Sequence, residues 1–230
     1  MNGQDIAIFT GTANPELAAD VARYLGQSLG NARVGRFADG KVDVQILEDV
    51  RDRDVYIIQP DGPPAVWMAE IHCLIVAAKR SAWRVTVILP YLSSGRGDRR
   101  DEPGKLVQAE LDARLYAATR VDRVVLFDLH ADQLVGMFEA AGIEHVDALY
   151  FRPVILDRLE HENLADTIIT PPDFGRLKVV RSFLKRLLLM GKPIDLGVID
   201  KDGTSSRGID SLTVFGNFQD RHVQMFDDIL

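Results

Sequence analysis

The segment RVVLFDLHADQ, residues 123–133, sets Asp128, His130 and Asp132 directly after four apolar residues, Val124 to Phe127. That uninterrupted run reads as a strand buried on both faces of a parallel sheet. In open parallel sheets, ligands gather at the carboxyl ends of the strands, where side chains face a crevice rather than a core. On an extended chain Asp128 and His130 are two residues apart and project to the same side. A carboxylate beside an imidazole suits a divalent metal carrying a phosphate, or general acid–base chemistry. The competing reading is local: Asp128 or Asp132 caps a helix that begins near ADQLVGMFEAAG.

Two further strand ends are acidic. TIITPPDFG places Asp173 after an apolar run, and VQMFDDIL places Asp227 and Asp228 after another. Paired carboxylates there suit sugar hydroxyls or a metal; each one alone reads equally well as a solvated loop. In PYLSSGRGDRRDEPGK a strand ends in a Gly- and Ser-rich turn followed by Arg96, Arg99 and Arg100. Arginines offer charge and forked donors to phosphate groups. The stretch is no Walker loop, because Leu106 follows Gly104-Lys105 where a Ser or Thr is needed. In VIDKDGTSSRG, Lys201 opens a flexible polar loop, from which a lysine could close over a phosphoryl group and stabilise developing charge.

The elements that must position these groups alternate in type. Apolar, β-branched runs (DIAIFTG, DVYIIQP, RVTVILPYL, DTIITPPD, IDLGVID, LTVFGNF) are separated by amphipathic patterns such as NPELAADVARYLGQSLG and KLVQAELDARLYAATR. Asn14 is placed to cap the first helix and Pro15 to occupy its first turn. Strand–helix alternation argues for an α/β fold with mostly parallel sheets flanked by helices. The change of pattern around VDALYFRPVILDRLEHENLADTIITPPD divides the chain into two α/β halves, 1–150 and 151–230. The last strand expected, HVQMFDDIL, has no helix after it, so the second half is expected to be incomplete.

The 230 residues are 47% hydrophobic and 27% charged, with a net charge of −7, which disfavours a general nucleic-acid binder. The single cysteine, Cys73, cannot form an internal disulfide or a cysteine-based zinc site. No basic segment followed by a long apolar run opens the chain, and no run approaches the ~20 residues of a membrane span. These features lead us to expect a cytoplasmic protein with neither nucleic-acid nor membrane partners.

Taken in order, GTANPELA, RFADGKVDVQI, DVYIIQ, ILPYLSSGRGDRR, DLHADQLVGMF, PDFG, VIDK and MFDD resemble the motifs of the ribose-phosphate pyrophosphokinase (phosphoribosyl pyrophosphate synthase) family over nearly the whole chain. The resemblance implies two phosphoribosyltransferase-like domains, usually assembled into homo-oligomers (dimers and hexamers). It implies transfer of the β,γ-diphosphoryl group of ATP to the 1-hydroxyl of ribose 5-phosphate, with magnesium (Mg2+), releasing AMP. By motif match, His130 and Asp173 would lie near the metal with Asp128 in support. Phe37 and Asp39 would belong to a loop reaching a neighbouring subunit's adenine. Arg96 and Asp98 would hold ATP, Lys201 would stabilise the transition state, and Asp227 and Asp228 would begin the ribose site.

Several positions depart from the family's usual pattern: Lys41 after FADG, Gly97 after Arg96, Arg176 in PDFG-R, Gly203 two positions after Lys201, and Val135 and Met137 after DLHADQ. The Thr/Gly-rich loop expected after the paired aspartates, which would cradle the 5-phosphate through its amides, does not follow them in these 230 residues. These departures keep a second reading open, a catalytically impaired homologue that binds nucleotide or assembles with an active synthase. A nucleobase phosphoribosyltransferase would share the fold, but DLHADQ is not its signature.

Overall fold

Apolar runs of four to six residues, separated by helical patterns, produce parallel strands with helical crossovers. The computed structural model describes residues 5–62, 65–172, 174–205 and 208–226, and within them all side chains except those of residues 176 and 200–212. The chain divides into two units, 1–149 and 150–230.

The first unit runs β1 (Ile6–Phe9), α1 (Pro15–Tyr24), β2 (Ala32–Arg36), β3 (Val42–Ile46), β4 (Asp54–Ile58), α2 (Val66–Ala78), β5 (Arg84–Leu89), α3 (Gln108–Ala118), β6 (Arg123–Phe127), α4 (Gln133–Ala140) and β7 (His145–Leu149). Strands β1, β4, β5, β6 and β7 form one parallel sheet in that order. Strands β2 and β3 form a separate antiparallel hairpin that packs on α2. Helix α1 starts as its sequence requires: Asn14 Oδ1 accepts from the Leu17 amide at 3.1 Å, and Pro15 stands in the first turn.

Alternation along the strands builds two cores on opposite faces of the sheet. Phe9, Ile57, Val87 and Leu126 face α2, α3 and α4, while Ile8 and Ile58 face Ala18 and Ala22 of α1. Strand β6 differs from the expectation of burial on both faces. Val124 and Leu126 are sealed, but Val125 and Phe127 are only half-buried. A run of apolar residues hides the period-two signal that would have shown one face to be less covered. At the amino ends of the strands, charges pair across the sheet: Arg84 Nε donates to Asp54 Oδ1 at 3.0 Å, and Lys79 Nζ lies 2.8 Å from Asp122.

The second unit runs α5 (Arg152–Glu160), β8 (Thr167–Thr170), α6 (Leu177–Leu189), β9 (Asp195–Leu196), β10 (Val198–Ser205), β11 (Gly208–Phe215) and β12 (His222–Met225). Its sheet is parallel with the order β12, β8, β9. Leu159, Ile169, Val180, Phe183 and Leu187 form its core, with the Phe183 and Phe226 rings stacked at 4.9 Å. Strands β10 and β11 make an antiparallel hairpin pairing Lys201 with Leu212. The residues from Lys201 to Ser205 are therefore strand, where a flexible polar loop was expected. Backbone pairing with Gly208–Phe215 supplies the hydrogen bonds that the polar composition concealed. No helix of the described residues is long and apolar enough to cross a membrane.

Candidate functional site at the carboxyl ends of β4, β5 and β6

Strands β5 and β6 are neighbours, so the segments leaving their carboxyl ends are neighbours too. After β5 the chain enters a 3₁₀ turn, Ser93–Arg96. After β6 it passes through Asp128 to His130 and into α4. A Cβ on Gly95 would lie 3.8 Å from the His130 Cβ, so the two segments touch in backbone-close packing. The contact is tied one step further on, where Gln133 Nε2 donates to Asp98 Oδ2 at 2.7 Å. Arg96, Asp98, Asp128 and His130 thus stand on two adjoining strand-end segments.

The geometry at Asp128 is not the extended one first inferred. Strand β6 ends at Phe127, and Asp128 has φ 40°, in the left-handed region. Aspartate tolerates this conformation better than most residues because its short polar side chain can bond locally. The Asp128 amide still bonds to Leu149 O at 2.9 Å, so the turn begins with the sheet ladder intact. Asp128 is half-buried and His130 exposed. The local-cap reading does not hold for Asp132, which precedes α4 without a side-chain cap bond.

Behind this surface lies a buried polar layer that the sequence reading missed. A carboxylate also follows strand β4: Asp61, three residues past its end and 1% exposed, accepts from the Ser93 amide at 2.7 Å and from the Tyr116 hydroxyl at 3.2 Å. Burial pushes its carboxyl up to about 6. Burial also raises the Tyr116 hydroxyl well above its ordinary value and lowers the His72 imidazole. Glu70 of α2, 1% exposed, accepts from the Thr12 amide and hydroxyl, both at 2.8 Å, and Gln59 Oε1 accepts from the Ala13 amide at 3.3 Å. These bonds hold the loop between β1 and α1. The signal for Asp61 was present in IIQPDG, an acid just beyond an apolar strand, the same cue that singled out DLH. For Glu70 the cue was a carboxylate inside an apolar helical pattern.

The remaining predicted residues fall elsewhere. Phe37 and Asp39 belong to the tip of the β2–β3 hairpin. Phe37 is 57% exposed, and Lys41 Nζ lies 3.0 Å from Asp39 Oδ2, holding that carboxyl below its ordinary value. A Cβ on Gly97 would lie 2.9 Å from the Gln108 Cβ, so α3 closes the space a larger side chain would need. Lys201 is on β10. Asp173, Asp227 and Asp228 lie outside the described residues.

Among the described residues no three His, Cys, Asp or Glu side chains are grouped to hold a metal. By donor chemistry, Asp128 is a carboxylate of the kind that a phosphate-bound magnesium takes, one or two of them with water and phosphate oxygens completing its shell.

A parallel sheet whose strand ends carry an arginine turn beside the Asp128–His130 segment is the kind of α/β architecture that takes ligands at its strand ends. Comparison with known proteins narrows this. Residues 6–119 match the family model of the N-terminal domain of ribose phosphate pyrophosphokinase. The chain is 35% identical to the ribose-phosphate pyrophosphokinase of Chlorobaculum tepidum over 98% of its own length and 68% of that protein's. It is 37% identical to the enzyme of that name from Neisseria meningitidis serogroup A, over 98% and 67%. The phosphoribosylpyrophosphate synthetase of Mycobacterium smegmatis superposes with a TM-score of 0.80 at 30% identity, over 97% of this chain and 71% of that one. The chain belongs to the ribose-phosphate pyrophosphokinase family and spans about two thirds of the length of these relatives.

Proposed function

We propose that the chain is a ribose-phosphate diphosphokinase, moving the β,γ-diphosphoryl group of Mg-ATP onto the 1-hydroxyl of ribose 5-phosphate and releasing AMP. Family membership supports the reaction. The observation that carries the site is the packing of the Arg96 turn against His130, with Asp98 bonded to Gln133. Phosphoryl transfer demands little covalent chemistry from the protein and depends on positioning and charge neutralisation. Arg96 is exposed on its turn and supplies a forked cation for the polyphosphate. By the family's motifs, His130, Asp128 and Asp173 would serve magnesium, which when bound neutralises phosphate charge. Lys201 on β10 would stabilise the charge developing on the transferred group, and Asp227 and Asp228 would take the ribose hydroxyls. Phe37 would offer a stacking face to adenine, completed by a second copy of the chain in a homo-oligomer.

A second reading, a homologue that binds nucleotide or tunes a catalytic partner, is favoured by two observations. Asp39 is already engaged by Lys41, and the space beside Gly97 is taken by Gln108. The two readings separate on incubation with magnesium, ATP and ribose 5-phosphate. AMP that accumulates only when the sugar phosphate is present supports the enzyme; saturable Mg-ATP binding without AMP supports the binding homologue.

A further inference from the structure

The turn that carries Arg96 is held by a buried carboxylate just beyond the neighbouring strand. Asp61 Oδ1 accepts from the Ser93 amide at 2.7 Å, the first donor of the turn. The contact is reciprocated along the backbone: the Asp61 amide donates to Tyr91 O at 3.3 Å, and Ser93 Oγ donates to Asp61 O at 3.4 Å. Asp61 is fixed in turn from behind, where Tyr116 of α3 donates its hydroxyl to Oδ2 at 3.2 Å. Tyr116 is itself wedged between His72 of α2, with ring centroids 4.8 Å apart, and Phe138 of α4, at 6.0 Å. Helix α4 begins at Gln133, the partner of Asp98. One buried chain of contacts therefore joins the Arg96 turn to the helix that follows His130.

Stability alone does not call for this arrangement. A buried carboxylate costs desolvation free energy, and an apolar residue of similar size would fill the same space more cheaply. The surroundings raise that cost. Asp112, also 1% exposed, adds a second carboxylate whose charge acts on Asp61; it bonds Gln108 through Oδ1 at 2.9 Å. Its Oδ2 and the His72 Nε2 are buried with no hydrogen-bond partner among the described residues. What the carboxylate does supply is a strong, directional acceptor for one backbone amide at the mouth of the site.

We propose that Asp61 is a positioning residue for the nucleotide site, its buried carboxylate pinning the Ser93 amide and so setting the Ser93–Arg96 turn in the form that reads the polyphosphate of ATP. The proposal rests on the nucleotide-binding reading of Arg96, and two measurements keep the two ideas apart. The pin is read without ligand, by amide hydrogen exchange over residues 91–98 in the wild type, Asp61→Ala and Asp61→Asn. Its use is read by titration of the same proteins with Mg-ATP.

In Asp61→Ala the turn exchanges at least tenfold faster and Mg-ATP binds about tenfold more weakly, the effect of losing one charge-assisted bond. Asp61→Asn restores both, because its amide oxygen still accepts from Ser93 and its amide nitrogen donates to the Tyr116 oxygen. Unchanged exchange in Asp61→Ala overturns the pin. Faster exchange with undiminished Mg-ATP affinity overturns the positioning role, as does an Asp61→Asn that behaves like Asp61→Ala. A wild type that fails to bind Mg-ATP overturns the nucleotide reading and the ligand half of the proposal, while the exchange rates still decide the pin. Should Asp61→Ala not fold, Asp61→Leu, which fills the space without an acceptor, is the second probe: exchange at the turn rises at least tenfold, and equal exchange overturns the pin.

Discussion

Asp61 and Asp128 stand in the same kind of place, just beyond the carboxyl ends of two strands of one parallel sheet, and their surroundings differ sharply. Asp61 is sealed, with its oxygens taken by a backbone amide and a tyrosine hydroxyl. Asp128 is half-buried in a left-handed turn and leads into an exposed histidine. An acid at a strand end is therefore not one signal but two. Sealed, it fixes the loops; half-buried, it stands at the surface where a ligand of the strand ends would bind. On the reading proposed above, the inward carboxylate shapes the Arg96 turn, and the Asp128–His130 segment serves metal and phosphate.

The sharpest way to break this comparison is to remove an outward group. His130→Ala should lower the rate of AMP formation on the order of 10²–10³-fold, with the thermal unfolding midpoint unmoved. A fall in midpoint matching the loss of rate would place His130 with the structural residues.

The inward group should instead report through stability and pH. Burial raises the Asp61 carboxyl from its ordinary value of 3.8 to about 6. The folded protein thus keeps the proton up to about pH 6, whereas the unfolded chain releases it near 3.8, so stability falls as the pH rises across that window. The shift corresponds to a loss on the order of 2–3 kcal/mol. Asp61→Asn should flatten that slope in denaturant titrations at pH 4.5 and 8. An unchanged slope would mean the carboxylate does not titrate in that window.

Tyr116→Phe removes the donor to a buried carboxylate and should cost about 1–2 kcal/mol in urea unfolding at pH 8. Smallest of all is Lys41→Ala, which breaks an exposed pair with Asp39. The unfolding midpoint should not move, since pairs of this kind contribute little to stability. A measurable drop would show that the hairpin tip depends on the pair.

The sequence made the outward half of the site legible and hid the inward half. DLHADQ announced itself because polar residues interrupt an apolar strand, and the Gly- and Ser-rich turn before Arg96 did the same. Asp61 gave the same cue in a shorter form, between Pro60 and Gly62, where a loop reading is natural. Tyr116 and Asp112 were invisible because a helix pattern does not say which polar residue turns inward. The parallel α/β class followed from strand–helix alternation. The β2–β3 hairpin did not, since ARVGR and VDVQI are mostly half-buried and lack a continuous apolar run. Lys201 read as loop because DKDGTSS is polar throughout, and only pairing with Gly208–Phe215 makes it strand.

Calorimetric titration of Mg-ATP into the wild type and His130→Ala tests most directly whether the outward strand ends form a nucleotide site. Saturable binding in the wild type, weakened at least tenfold in His130→Ala, is the expected result. Equal affinity in the two proteins, or no binding in the wild type, would contradict it.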